Sequence, residues 1–360
     1  MLEAFGRLAD EAQQVMRMTE LLALTVAEAC IGACRGCLAW AVATMLALGV
    51  AEAAEPANYV FAGGDGAAEV RDLLQRDDVA GVQVVYPWKT LEPEQGRYDF
   101  SSIERDLAVA GSLDKQLFVQ VQDRFFRPEA RLLPGYLLRE PLYGGGLVAQ
   151  TDTPGEGAPQ VQGWATLQWN PHVRERFQAL LRALGERFDG RIHGINLPET
   201  AIDVGDGAKA AGFTCDGYFE AQMENMSVAR QAFEDSHVVQ YVNFWPCEWD
   251  NDHDYMGRLF ERAHALGIGL GGPDIVPYRR AQMRNAYPFF NRYRERLALV
   301  AMAVQEPTLT YVDPEDGERF SREDFVGFAR DYLGVDIIFW SPAAPWLKSD
   351  ERARPGARGR

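Results

Sequence analysis

Two glutamates stand where short apolar runs stop. Ile192, Ile195 and Leu197 lead into Glu199, and Leu297-Ala-Leu-Val-Ala-Met-Ala-Val-Gln leads into Glu306. The first run is too short and too marked by glycine and proline for a helix, so it reads as a buried strand. A carboxylate at the carboxyl end of a strand in a parallel α/β barrel sits on the face where active sites are assembled. Two such carboxyls can cleave a glycosidic bond. One stays protonated and donates to the leaving oxygen; the other is ionised and attacks or stabilises the anomeric carbon. The separations are about 5–5.5 Å for retention and roughly 6.5–9.5 Å for inversion. Mutual repulsion and partial burial raise the pKa of whichever carboxyl is the acid. Other strand ends supply Lys89, Asp123, Arg124, Asn196, Asn243 and Asp274 as partners for hydroxyl groups, and Trp88, Trp245, Trp249 and Trp340 as stacking platforms. Each of these also fits a structural place, and a salt bridge at a loop edge is the other use of either glutamate.

The elements that must position these side chains alternate regularly. Strands are expected over 59–62, 81–86, 117–122, 192–197, 238–244, 267–270, 297–304 and 335–340. Between them, 68–75, 103–110, 173–188, 219–233, 255–265 and 324–333 carry apolar residues at three- and four-residue spacing, the pattern of helices laid on a core. Eight strands in this rhythm predict a (β/α)₈ TIM barrel. Ser101 and Ser321 are the expected N-caps, the latter with Asp324 at the capping-box position. Residues 126–171 form a disproportionate loop between the third strand and its helix that should overhang the active face, with Tyr136, Tyr143, Trp164 and Trp169 either packing it down or stacking on sugar. Few residues follow Trp340, so a short or missing last helix is expected.

The organisation then reads as a leader and signal peptide or anchor over 1–54, a catalytic barrel over 55–345 and a basic tail over 346–360. Residues 38–51 form an uncharged apolar run, with small residues after it suiting cleavage after Ala53 or Ala54. It is short for a membrane span, which takes about 20 apolar residues. Removal of the signal would leave no stable membrane insertion and a secreted or periplasmic protein. A net charge of −16 argues against nucleic acid, which is bound through clustered Lys and Arg. Of five cysteines, Cys30, Cys34 and Cys37 precede the barrel without a fourth ligand at zinc spacing. Cys215 and Cys247 are free to form one disulfide in an exported protein, although sequence does not place their Cα atoms within reach. His172, His193, His237, His253 and His264 fall on helices or before strands, so no metal site or cofactor is expected. Gly63-Gly-Asp-Gly66 lacks the spacing of a phosphate-binding loop, and no Gly-x-Ser-x-Gly elbow is present.

With these residues in view, the chain resembles the clan A glycoside hydrolases over roughly residues 58–342. These are retaining glycosidases on (β/α)₈ barrels whose acid/base ends the fourth strand and whose nucleophile ends the seventh. Glu199 and Glu306 fall on those strands. Trp88, Glu92-Pro93 and Gly96-x-Tyr98-x-Phe100 after the second strand are similar to a segment of several such families. The resemblance implies Glu199 as acid/base, Glu306 as nucleophile and an oligo- or polysaccharide substrate, with no numbered family assigned. The chain departs from the clan in having Pro198, where Asn normally precedes the acid/base and bonds the sugar 2-hydroxyl; Asn196 lies three residues before Glu199. The reading from another class is a non-catalytic carbohydrate-binding barrel of the cell envelope.

Overall fold

A computed structural model describes residues 54–152 and 160–348. The expected signal segment and nearly all of the basic tail lie outside the described residues. Eight parallel strands close into a barrel in the order β1 (Ala57–Phe61), β2 (Gly81–Pro87), β3 (Gln116–Gln122), β6 (Gly194–Leu197), β7 (His237–Tyr241), β8 (Gly269–Gly272), β9 (Val300–Val304) and β10 (Ile337–Trp340). Every expected strand is present, and the barrel is a (β/α)₈ TIM barrel. The boundaries differ most at β8, expected over 267–270. Its inward glycine Gly271 lets β8 lie against β9: a Cβ there would meet the Ala301 carbonyl oxygen at 1.9 Å.

Alternation along the strands divides the core in two. Tyr59, Phe118, Val239, Tyr241, Ala301, Ala303 and Phe339 fill the barrel interior, and Ile195, Leu197, Val300, Met302 and Trp340 face the helices. Gly194 makes room inside, because a Cβ there would lie 2.4 Å from the Phe118 ring. Above this apolar plug the interior turns polar: Gln83 Nε2 donates to Asn196 Oδ1 at 2.8 Å and to the Tyr241 hydroxyl at 2.7 Å.

The longer helices are α1 (Ser101–Gly111), α2 (Pro171–Phe188), α3 (Cys215–Ala232), α4 (Tyr255–Leu266), α5 (Tyr287–Tyr293) and α6 (Arg322–Phe328). Helix α2 buries Val173, Phe177, Leu180, Leu181, Leu184 and Phe188, the stripe read from the sequence. Its cap is Asn170, whose side chain accepts from the backbone of His172 and Val173. Ser321 and Asp324 form a full capping box on α6. Ser101 is not a cap: it is the first residue of α1, and its N–H is satisfied by Asp99 Oδ1 at 3.0 Å. The last helix is short, Pro345–Lys348. The described residues of the long loop after β3 hold more regular structure than its glycines suggest. It carries an antiparallel hairpin, β4 (Leu147–Asp152) with β5 (Gln160–Thr166), docked against the end of β3 by paired Phe125–Trp164 backbone hydrogen bonds of 2.8 and 2.7 Å. Gly163 permits that approach, since a Cβ would fall 1.8 Å from the Phe125 carbonyl oxygen.

Candidate active site

Glu199 follows β6 at the mouth of the barrel, part open to solvent and otherwise enclosed by polar groups from neighbouring strand ends. Asn243, just after β7, donates from Nδ2 to Glu199 Oε2 at 3.4 Å. Gln282 in turn donates to Asn243 Oδ1 at 2.8 Å, fixing the amide so that its N–H₂ faces the carboxyl. Burial raises the pKa of Glu199; Arg124 and the Asn243 hydrogen bond oppose the rise, while Asp274 and Asp123 add to it. The balance holds a proton above the ordinary glutamate range, as a general acid requires.

Arg124 and Asp123, at the end of β3, are both buried and form an ion pair at 3.2 Å. Arg124 also donates to the Ala201 carbonyl at 2.9 Å and to the Tyr218 hydroxyl at 3.4 Å. Asp123 accepts from Gln168 Nε2 at 2.7 Å, and Gln168 accepts from Asn225 Nδ2 at 3.1 Å. Burial works against the Arg124 charge, but Tyr218, Asp123 and Glu199 more than offset it, so its pKa is raised. A buried cation held this firmly is a fixed positive field beside Glu199. Asp274 follows β8. Burial pushes its pKa up, against a 2.7 Å hydrogen bond from Thr308 Oγ1 and the charge of Arg279.

Glu306 occupies a different setting. It follows β9 as the first residue of the turn into a 3₁₀ helix (Pro307–Thr310), is exposed, and has no side-chain hydrogen bond or ion pair among the described residues. Ala301 and Ala303 face the barrel interior, so strand alternation carries Gln305 rather than Glu306 onto the inward row.

The structure therefore gathers Glu199, Arg124, Asp123, Asn243 and Asp274, and separates out several residues singled out with them. Asn196 lies deeper, in the barrel core with Gln83, and its Nδ2 has no partner among the described residues. Lys89 is exposed on the turn Trp88–Leu91, away from these contacts. Three of the expected platforms are corrected. Trp88 is fully buried, edge-on to Phe177 at 5.3 Å, and gives its indole N–H to Glu92 at 2.8 Å. Trp340 is on the outward row of β10, buried at 1% exposure, and donates to Asn58 Oδ1 at 2.9 Å. Neither presents a ring face to a ligand, because packing between barrel and helices consumes it. Trp245 is also buried, among Tyr218, Phe219 and Tyr255, whereas Trp249 is half exposed.

The Glu92-Pro93 segment has a structural explanation. Buried Glu92 accepts from Trp88 Nε1 and from Gly96 N at 2.8 Å each and pairs with Arg176, closing the loop after β2. Sequence reasoning missed Tyr218 and Gln282, which lie on helices and signal nothing by spacing. Cys215 and Cys247 form a disulfide with Cα atoms 6.2 Å apart, fastening the loop after β7 to the start of α3. Among the described residues no cluster of three or more His, Cys, Asp or Glu is disposed to hold a metal ion, and no helix is long and apolar enough to cross a membrane.

No protein-family model matches the sequence, and no curated protein matches it. Solved structures do share the fold. The catalytic domain of a beta-amylase from Paenibacillus polymyxa aligns over 81% of this chain and 93% of its own at 9% identity, with a TM-score of 0.50. A family 39 glycoside hydrolase from Bacteroides cellulosilyticus WH2 aligns over 80% of this chain and 56% of its own at 11% identity and a TM-score of 0.47. Xylanase 10B from Thermotoga petrophila RKU-1 aligns over 79% and 81% at 12% identity and a TM-score of 0.44. At such identities the likeness concerns the barrel, which this chain has in common with the beta-amylase domain.

Proposed function

We propose that this protein is a glycoside hydrolase acting on an oligo- or polysaccharide by a retaining two-carboxylate mechanism, with Glu199 as acid/base and Glu306 as nucleophile. One observation carries the reading: at the end of β6 a carboxyl is enclosed by burial and by Asp274 and Asp123 so that its pKa is raised, with Asn243 orienting it. In the first step the Glu199 proton passes to the glycosidic oxygen as that bond breaks, and the carboxylate of Glu306 bonds to the anomeric carbon. Water then attacks that carbon, giving its proton to Glu199 and freeing Glu306. Fold alone does not choose a chemistry. The barrel shared with a beta-amylase catalytic domain supports a glycosidase as the general kind.

A second reading has its own observation. Asp274 is part-buried, held by Thr308, and acts on the charge of Glu199, whereas Glu306 is exposed and unpartnered among the described residues. Asp274 is then the second carboxyl, or the site binds sugar without cleaving it. Glu306→Gln and Asp274→Asn separate these. The retaining assignment expects wild type to hydrolyse members of a glycan panel, with turnover falling by orders of magnitude in Glu306→Gln. A comparable fall in Asp274→Asn alone moves the second role to Asp274. Binding with no hydrolysis by wild type supports the non-catalytic reading.

We further infer export, to the periplasm or beyond. A disulfide suits an oxidising compartment, and residues 38–51 suit a signal core. Protein recovered from the envelope fraction should begin near Ala54 or Glu55; an intact Met1 or a purely cytosolic location contradicts export.

A further inference from the structure

A cavity of about 490 Å³ opens between the loops that follow β6, β7 and β8. That volume lies within the range of small-molecule sites, about 300–1,000 Å³. Its inner wall includes Asn243 and Gln282, the two amides that reach Glu199 in relay, so the cavity adjoins the candidate acid. Phe244 and Trp249 form apolar walls, exposed at 37% and 52%.

Exposed aromatic rings are costly to leave in water unless something covers them, and here the loop is built to hold them out. Cys247, also a wall residue, is fixed by the disulfide to Cys215. Asp250, one residue beyond Trp249, makes a two-pronged ion pair with Arg284 at 2.6 and 2.7 Å. The same guanidinium lies 5.0 Å from the Trp249 ring centroid. Arg284 thus braces the platform as well as the backbone that carries it.

The polar groups choose the ligand. Lys209 faces Asp206 at 3.3 Å, and Glu248 is committed to the backbone N–H groups of Tyr255 and Met256 at the start of α4. Asp203, the third charged residue of the wall, is not without a partner either, so these charges are engaged. What the wall offers are carboxamides, which both donate and accept and so match hydroxyl groups rather than an ionic ligand. Trp245, 2% exposed, backs the same wall with its ring packed on Tyr218, Phe219 and Tyr255.

We propose that this cavity is a subsite for a neutral sugar ring of an oligosaccharide, stacked on Trp249 and Phe244 and hydrogen-bonded by the amides of Asn243, Gln282 and Asn285. The assignment rests on the glycosidase reading for its purpose, and on the cavity alone for its chemistry. Cellotetraose, xylotetraose and maltotetraose are titrated calorimetrically into the full-length Glu199→Gln protein and into the same protein carrying Trp249→Ala or Gln282→Ala. One of the three tetrasaccharides should bind. Trp249→Ala should weaken it by tenfold or more and Gln282→Ala by a smaller factor, with the melting temperature of each within a few degrees of its parent. Unchanged affinity in both variants overturns the subsite, and so does absence of binding by all three sugars. Wild-type hydrolysis, assayed in parallel, keeps the two readings apart. Binding lost in Trp249→Ala without any wild-type turnover leaves the subsite standing and removes the glycosidase; turnover with Trp249→Ala binding unimpaired does the reverse.

Discussion

Thr308 Oγ1 donates to Asp274 Oδ1 at 2.7 Å, tying the turn after β9, which begins at Glu306, to the carboxyl that follows β8. Thr308 is buried, and its hydroxyl opposes the rise that burial imposes on the Asp274 pKa. Thr308→Val keeps the shape and removes the donor, so the Asp274 pKa should climb further. Asp274 is raised in the folded state, so its contribution to stability is complete at low pH and is lost as pH rises through its folded pKa. The variant should therefore lose more stability at neutral than at acid pH, by about 1–3 kcal/mol for a hydrogen bond to a charged group. Denaturant unfolding at both pH values and a carboxyl NMR titration of Asp274 check this.

Glu199 follows the same sign. Its pKa is raised, chiefly by burial, so folding favours the protonated form and ionisation at higher pH works against the fold. Glu199→Gln cannot ionise, and Arg124 keeps its partner Asp123. The variant should melt higher than wild type at neutral and alkaline pH and converge with it in acid, each kcal/mol being worth roughly 2 °C in a barrel of this size. A lower melting temperature at pH 8 would contradict the assignment. In wild type, the alkaline limb of kcat/KM should fall above the ordinary glutamate range, and a limb at or below it would count against Glu199 as acid.

The disulfide closes a sequence separation of 32 residues. Loop-closure entropy for that length gives about 3–4 kcal/mol. Cys215→Ala with Cys247→Ala should lower stability by that order and loosen the cavity wall, so that tetrasaccharide affinity falls with it. Unfolding curves and titrations of oxidised and double-variant protein measure both; an unchanged affinity would show that Trp249 is held by Arg284 alone.

The barrel was legible because strand and helix periods alternate along the chain apart from the insertion at residues 126–171, and one face of the longer helices is apolar. The stripe from Val173 to Phe188 is the plainest case, and it is buried where expected. Capping chemistry was legible at Ser321, where spacing and side chain agree, and not at Ser101, where Asp99 two residues earlier is the better acceptor. The hairpin within residues 126–171 escaped notice because Gly163 marks a close backbone approach and not a break. The site was legible only at strand ends. Spacing puts Glu199, Asp123, Arg124, Asn243 and Asp274 on one rim, but it cannot say which tryptophans face outward: Trp88 and Trp340 go to the core between barrel and helices, and Trp249 is held out by Arg284, thirty-five residues on.

The central claim is that the Glu199 proton goes to the leaving oxygen, and leaving-group dependence tests it most directly. The rates of wild type and Glu199→Gln are compared on a natural glycan and on a dinitrophenyl glycoside of the same sugar, whose leaving group departs with little protonation. Glycosylation of the variant by the activated substrate should stay close to the wild-type rate, while hydrolysis of the glycan falls by a factor of about 10²–10⁴. Equal loss on both substrates would remove Glu199 from the acid/base role.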